Sequence, residues 1–156
     1  MLNKKIFHKY GYLFAIISGL MMALPLVISK LSILQWIAFI PTAIALYVLA
    51  DDVTVKYRKL YLLGLAYFYP YFVVVFHWFY YMHPMDFAGL ATMESLFVVT
   101  LACFGLAAFQ ALAAALIFPI FAWLSRGIFL KKCQIIKPFL ISAMFVFCEW
   151  SQTLGW

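Results

Sequence analysis

Glu149 and His77 are the ionisable side chains that fall deep within apolar stretches of this chain. A charged or titratable group at membrane depth is costly, so by default it marks a functional site. Glu149 stands twelve residues beyond Lys137, which at helical rise puts it about 18 Å in from a cationic boundary, in the outer half of a bilayer. His77 lies about 25 Å along the apolar stretch that opens at Leu60. With Gln110 and Gln152, these groups could furnish a polar pocket in which Glu149 accepts hydrogen bonds or orients a helix. The competing reading is structural. Glu149 would then pair with Gln110, a tyrosine or a backbone group between helices. His77 would belong to the run His77-Trp78-Phe79-Tyr80-Tyr81, which has the composition of an interfacial aromatic belt. Cys148 beside Glu149 is not a nucleophile-and-base pair, because adjacent helical residues do not face each other. His77, His83 and Glu94 lack the short spacing of zinc motifs, so no metal is expected. No phosphate loop, hydrolase elbow or paired catalytic carboxylates occur, and no cofactor is implied.

The elements that must position these residues are set by where the cations fall. Ten of the eleven Lys and Arg residues lie in three clusters: Lys4/Lys5/Lys9, Lys56/Arg58/Lys59 and Arg126/Lys131/Lys132/Lys137. Two apolar stretches separate each cluster from the next, and Lys30 is the one cation between them. Cytoplasmic loops carry the excess of Lys and Arg, so all three clusters read as inside. The expected fold is all-α: a polytopic membrane helical bundle of about five transmembrane helices. Its amino terminus is cytoplasmic, and its carboxyl terminus is outside with Trp156 near the outer face. The expected spans are about residues 10–26, 31–50, 60–82, 91–124 and 138–156, forming one transmembrane domain over 1–156. The fourth, if wholly helical, would be about 50 Å long against a hydrocarbon core of about 30 Å, so it must tilt or project beyond the bilayer around Glu94.

Composition supports this class. Hydrophobic residues make up 69% and charged residues 10%, with a mean hydropathy of +1.06, far from the balance of a soluble domain. The net charge of +6 does not imply nucleic acid. The cations sit at span ends, where they set orientation and meet anionic lipid headgroups. Three lysines before an apolar run also describe a signal peptide, but no small-residue cleavage site follows Met22, so a retained signal-anchor is expected. Cys103, Cys133 and Cys148 form no close pair, so free thiols are expected. Nothing polar follows Trp156, and the sequence therefore carries the expectation that the chain is a fragment or a truncated relative.

Four segments resemble one family. Trp36-Ile37-Ala38-Phe39-Ile40-Pro41 resembles the Trp-Ile-Ala-Leu-Val-Pro stretch of apolipoprotein N-acyltransferases. Phe76-His77-Trp78-Phe79-Tyr80 is similar to that family's Trp-Ile/Val-Tyr signature at the end of a helix. A long alanine-rich span follows in both. Glu149-Trp150-Ser151-Gln152-Thr153-Leu154-Gly155-Trp156 is similar to its Glu-Trp/Phe-Leu-Arg-Gly-Trp segment. The resemblance spans residues 19–156. It implies a multi-pass enzyme of the bacterial cytoplasmic (inner) membrane that moves an acyl chain from phospholipid to the N-terminal diacylglyceryl-cysteine of a lipoprotein. Its partners are a phospholipid acyl donor, a lipoprotein acceptor and membrane lipids. In that family a nitrilase-like domain on the outer face holds a Glu-Lys-Cys triad, whose thiolate divides acyl transfer into two easier steps through a thioester. No such domain is present within residues 1–156, so no catalytic residue is expected here and this chain alone is expected to be inactive. The bundle is left to anchor and to position lipid, with Trp36, His77, Trp78, Tyr80, Tyr81, Glu149 and Trp150 as candidate lining residues. An aromatic belt explains most of the same residues equally well. Ala23-Leu24-Pro25-Leu26-Val27 departs from the family by lacking its Pro-Phe-Asp turn.

Two other classes compete. A small polytopic transporter or substrate-binding membrane subunit would use His77 and Glu149 at midplane, although the internal repeats common in such folds are missing. A structural membrane scaffold would use the small residues Ala102, Gly105, Ala107, Ala108, Ala111 and Ala113–Ala115 for close helix approach.

Overall fold

The computed structural model describes residues 4–127 and 135–153. The expectations placed on Lys131, Lys132, Cys133 and Trp156, and on the Gln152 side chain, lie outside what it describes. Among the described residues every regular element is helical. Helix α1 spans Lys4–Val27 and ends in a short 3₁₀ turn at Ser29–Leu31. Next come α2 (Leu34–Ala38), α3 (Ile40–Ala50) and α4 (Tyr57–Val75), the last continuing as a 3₁₀ segment, Phe76–Met82. Helices α5 (Thr92–Ala114), α6 (Ile117–Ser125) and α7 (Ile136–Thr153) complete the bundle.

Among the described residues three helices are long and apolar enough to cross a membrane: Ile6–Val27, Tyr57–Met82 and Thr92–Ser125. The expected second span, Leu34–Ala50, is shorter and interrupted at Phe39. The expected fifth is α7, 18 residues long and carrying Lys137 and Glu149.

Two interruptions have the same cause. Pro41 has no N–H for the Ile37 carbonyl, and its ring crowds that carbonyl, so α2 stops and α3 restarts with Pro41 in its first turn. Pro119 does the same to Ala115. The chain turns at Ala115–Leu116, where the Ala115 carbonyl accepts instead from Phe118 N–H at 3.3 Å. The fourth span, expected to be about 50 Å long if wholly helical, is a 23-residue helix followed by a 9-residue one, with a two-residue interruption at Ala115–Leu116.

Close packing comes from small residues at chosen points. A Cβ on Gly19 would stand 2.2 Å from the Tyr67 carbonyl oxygen, so α1 lies directly on the α4 backbone. A Cβ on Gly64 would stand 2.8 Å from the Ala115 carbonyl oxygen, so α4 receives the α5–α6 bend there. Around these seams Leu46, Leu49, Leu60, Leu63, Phe118 and Phe121 are fully buried. Helix α7 joins the core through Ile141 and Phe145. The Phe145 ring meets Phe39 edge-on at 5.0 Å and Phe68 at 5.5 Å.

Candidate functional site

The polar chemistry of the described residues gathers at the two ends of the bundle. At one end, cations of the second and third clusters converge on the loop between α3 and α4, joined there by His8 of α1. Arg126 donates through Nε to the Ala50 carbonyl (2.8 Å) and through one terminal nitrogen to the carbonyls of Asp52 (2.9 Å) and Val55 (3.0 Å). Its guanidinium lies over the Tyr57 ring. A planar fork can hold three carbonyls at once, which an ammonium cannot imitate. Lys137, 1% exposed, places Nζ 2.5 Å from Asp51 Oδ1. Lys59 Nζ lies 3.3 Å from His8 Nδ1 and donates to the His8 carbonyl at 3.2 Å. His8 Nε2 lies 3.3 Å from Asp52 Oδ2. A neutral His8 protonated on Nε2 satisfies both contacts, accepting from Lys59 and donating to Asp52.

Asp52 Oδ1 also accepts from the Thr54 hydroxyl (2.6 Å) and amide (2.9 Å). These two hydrogen bonds, followed by His8, hold the Asp52 carboxyl below the usual carboxylate range. A depressed folded-state pKa stabilises the fold above the ordinary Asp range, and that contribution is lost as pH falls through the depressed value. Thr54→Val removes the larger contribution, so Asp52 should titrate closer to the ordinary carboxylate range, and the loop should loosen at a less acidic pH. Carboxyl-carbon NMR of the bundle in micelles measures this directly, and an unmoved Asp52 titration would refute the assignment.

The other end is aromatic. His77 donates through Nδ1 to the Val74 carbonyl (2.7 Å), closing the turn where α4 tightens into 3₁₀ geometry, and its ring meets Tyr81 edge-on at 5.7 Å. Trp78 stacks on Phe79 at 4.2 Å. Tyr80 donates its hydroxyl to Thr100 of α5 at 3.3 Å. The fully buried Ser95 Oγ accepts from Met85 N–H at 3.0 Å and lies 2.9 Å from His83 Nδ1, clamping the 83–91 loop onto α5. Glu94 reaches back to the Ala91 N–H at 3.1 Å, satisfying a free donor at the start of α5.

The candidate lining residues are mostly at the surface of the bundle. Trp36 is 84% exposed and Tyr81 79%, while Trp78, Tyr80 and Trp150 are exposed by about half. Glu149 is exposed on α7 rather than enclosed between helices. Among the described residues no hydrogen bond or ion pair joins Glu149 to Gln110 or to His77, and Gln110 is buried on α5. Two apolar cavities flank α7. One, of about 490 Å³, lies against α5 and α6 with Ile117, Ile120, Met144 and Phe147 in its wall. The other, of about 260 Å³, is lined by Met22, Phe39, Tyr67, Ile141, Ser142 and Phe145. Neither is lined by His77 or Glu149.

Sequence reasoning missed the inner network and the Ser95 clamp. A signal for the first was present: Asp51 and Asp52 are two of only five acidic residues, and they lie beside the second cation cluster. Nothing in the sequence marked Ser95. Comparisons with protein families, with curated proteins and with solved structures find no match to this chain in any of the three.

Proposed function

We propose that this chain is the amino-terminal membrane part of an apolipoprotein N-acyltransferase, with α1, α2–α3, α4, α5–α6 and α7 as its five crossings. The observation that carries the reading is the segregation of the two ends. Cations of the second and third clusters meet at the α3–α4 loop, and α1 reaches the same loop through His8. Helix α4 starts beside that loop, and the segment resembling the family's aromatic signature begins where the helix ends, after 19 residues or about 28 Å. Trp36 and Trp150 lie about 20 Å from the same loop along α2–α3 and α7. Five crossings starting inside bring the end of α7 to the outer face, where a lipoprotein amino terminus is presented. The bundle's share of the work is to hold lipid. Exposed aromatics at the outer interface offer flat apolar surface to acyl chains. The covalent step belongs to a Glu-Lys-Cys domain of the kind that follows this segment in the family, and no residue described here takes part in it.

The activity is tested with the gene's full product in a bacterium depleted of its own apolipoprotein N-acyltransferase. Restored N-acylation, read by mass spectrometry of lipoprotein amino-terminal peptides, is the expected result. Lipoproteins that keep a free α-amine overturn the assignment. The topology has its own test. In intact spheroplasts, an Asp86→Cys variant should react with an impermeant thiol reagent at position 86, and native Cys133 should not. Labelling of Cys133 alone inverts the bundle and removes the acyltransferase reading with it.

A further inference from the structure

We infer that the cationic end of the bundle is a docking surface for an anionic phospholipid of the adjoining leaflet, held by Lys9, Lys56 and Arg58. The inference rests on the membrane placement of the bundle and not on the acyltransferase reading. Six cations with described side chains lie at this end (Lys9, Lys56, Arg58, Lys59, Arg126 and Lys137), facing two carboxylates, Asp51 and Asp52. The network divides them into two groups. Lys59 is spent on His8, Arg126 on three backbone carbonyls and Lys137 on Asp51. Asp52 is taken by Thr54 and His8. Lys9, Lys56 and Arg58 are exposed, and among the described residues no carboxylate lies within ion-pair distance of any of them. Each is a chain neighbour of a residue the network fixes: Lys9 follows His8, Lys56 follows Val55 and Arg58 precedes Lys59. The three unspent charges therefore stand on a braced backbone, with the local carboxylates already engaged.

The surface around them identifies the ligand class. Ile6 (44% exposed), Tyr10 (42%), Val53 (69%) and Tyr57 (42%) are interleaved with the cations, and Lys9 Nζ sits 5.1 Å from the Tyr10 ring centroid. A soluble polyanion has no use for exposed aliphatic side chains. A lipid interface uses both kinds, cations for the phosphodiester and tyrosines with aliphatic groups at the glycerol and acyl boundary. The long apolar helices also begin or end at this level, which sets the three cations at headgroup depth.

The full chain, extracted in mild detergent and exchanged with an equimolar mixture of phosphatidylglycerol and phosphatidylcholine, should retain phosphatidylglycerol preferentially in native mass spectra. Preference should fall about fivefold for each of Lys9→Gln, Lys56→Gln and Arg58→Gln, the effect of one interfacial cation. Lys9→Arg combined with Lys56→Arg should keep it, and so should Lys30→Gln, which removes a cation from the opposite end. Unchanged far-UV circular dichroism in each variant separates loss of the ligand from loss of the fold. Equal retention of both lipids by the native chain, undiminished preference in the triple Gln variant, or displacement of the lipid by free glycerol 3-phosphate each overturns the proposal. A chain that stays soluble and monodisperse without detergent would instead overturn the membrane reading beneath it.

Discussion

Gly19→Ala should separate α1 from α4 and cost the bundle about 3 kcal/mol or more of stability. The added Cβ would stand 2.2 Å from the Tyr67 carbonyl oxygen and 3.1 Å from its carbon. Both are backbone atoms of a helix, so no rotamer change relieves the contact. Relief requires the two helices to part by roughly 1 Å, and a gap of that size forfeits a quarter to a half of each dispersion contact along the seam. The seam cannot yield cheaply, because Tyr67 is itself locked among Phe39, Phe68, Phe118 and Phe145. In lipid the loss is sharper still. Apolar surface gains nothing by leaving the bilayer, so helix association there depends on close packing by small residues. Gly105→Ala is the control. Nothing lies within 4 Å of its Cβ position, and replacing an interior helical glycine should stabilise by about 0.5–1 kcal/mol. Thermal or SDS-induced unfolding in micelles, followed by circular dichroism, measures both. Should Gly19→Ala unfold together with the native chain, α1 does not lie on the α4 backbone.

The seam also shows what a sequence does and does not carry. Gly19 is legible as a glycine in an apolar helix, but its partner 48 residues away is not. Pro41 and Pro119 could have been read from sequence, since a proline without an N–H interrupts any helix it enters beyond the first turn. They were overshadowed by unbroken hydrophobicity, which registers span length and is blind to bends. The cation clusters were legible because they are a matter of composition and spacing alone, without pairing. The way those cations divide was not. Whether Lys137 or Lys56 finds a carboxylate depends on where α7 enters the bundle, a tertiary fact. For Glu149 the sequence could not show which way the side chain points, because rotating a helix by one residue moves a side chain from the interior to the surface. The aromatic end was legible as a run, His77 to Tyr81, whereas Ser95, which clamps the adjoining loop, is one serine among several.

Asp51→Ala should destabilise the bundle by about 3–5 kcal/mol, whereas Lys137→Met should leave it within about 1 kcal/mol of the native chain. The asymmetry follows from where each partner stands. Lys137 is 1% exposed, and Asp51 is 48% exposed. Removing the aspartate strands an ammonium in a place water cannot reach, and among the described residues no second carboxylate stands within ion-pair distance of it. Removing the ammonium strands nothing, because a half-exposed carboxylate recovers its hydration. The methionine chain also refills the volume of the lysine stem with apolar contact. The double variant Asp51→Ala/Lys137→Met should therefore recover most of what the single Asp51→Ala loses, a coupling measured by a double-mutant cycle. The local consequence falls on α7. That helix is held to the bundle by this ion pair at its first turn and by Ile141 and Phe145 further along, with cavities on both of its flanks. Amide exchange along residues 136–153 should accelerate in Asp51→Ala well beyond exchange in α4 and stay native in Lys137→Met. Equal losses from the two single substitutions would mean that the pair acts through its mutual attraction rather than by neutralising a buried charge. Helix α7 would then need another anchor to hold its first turn to the bundle.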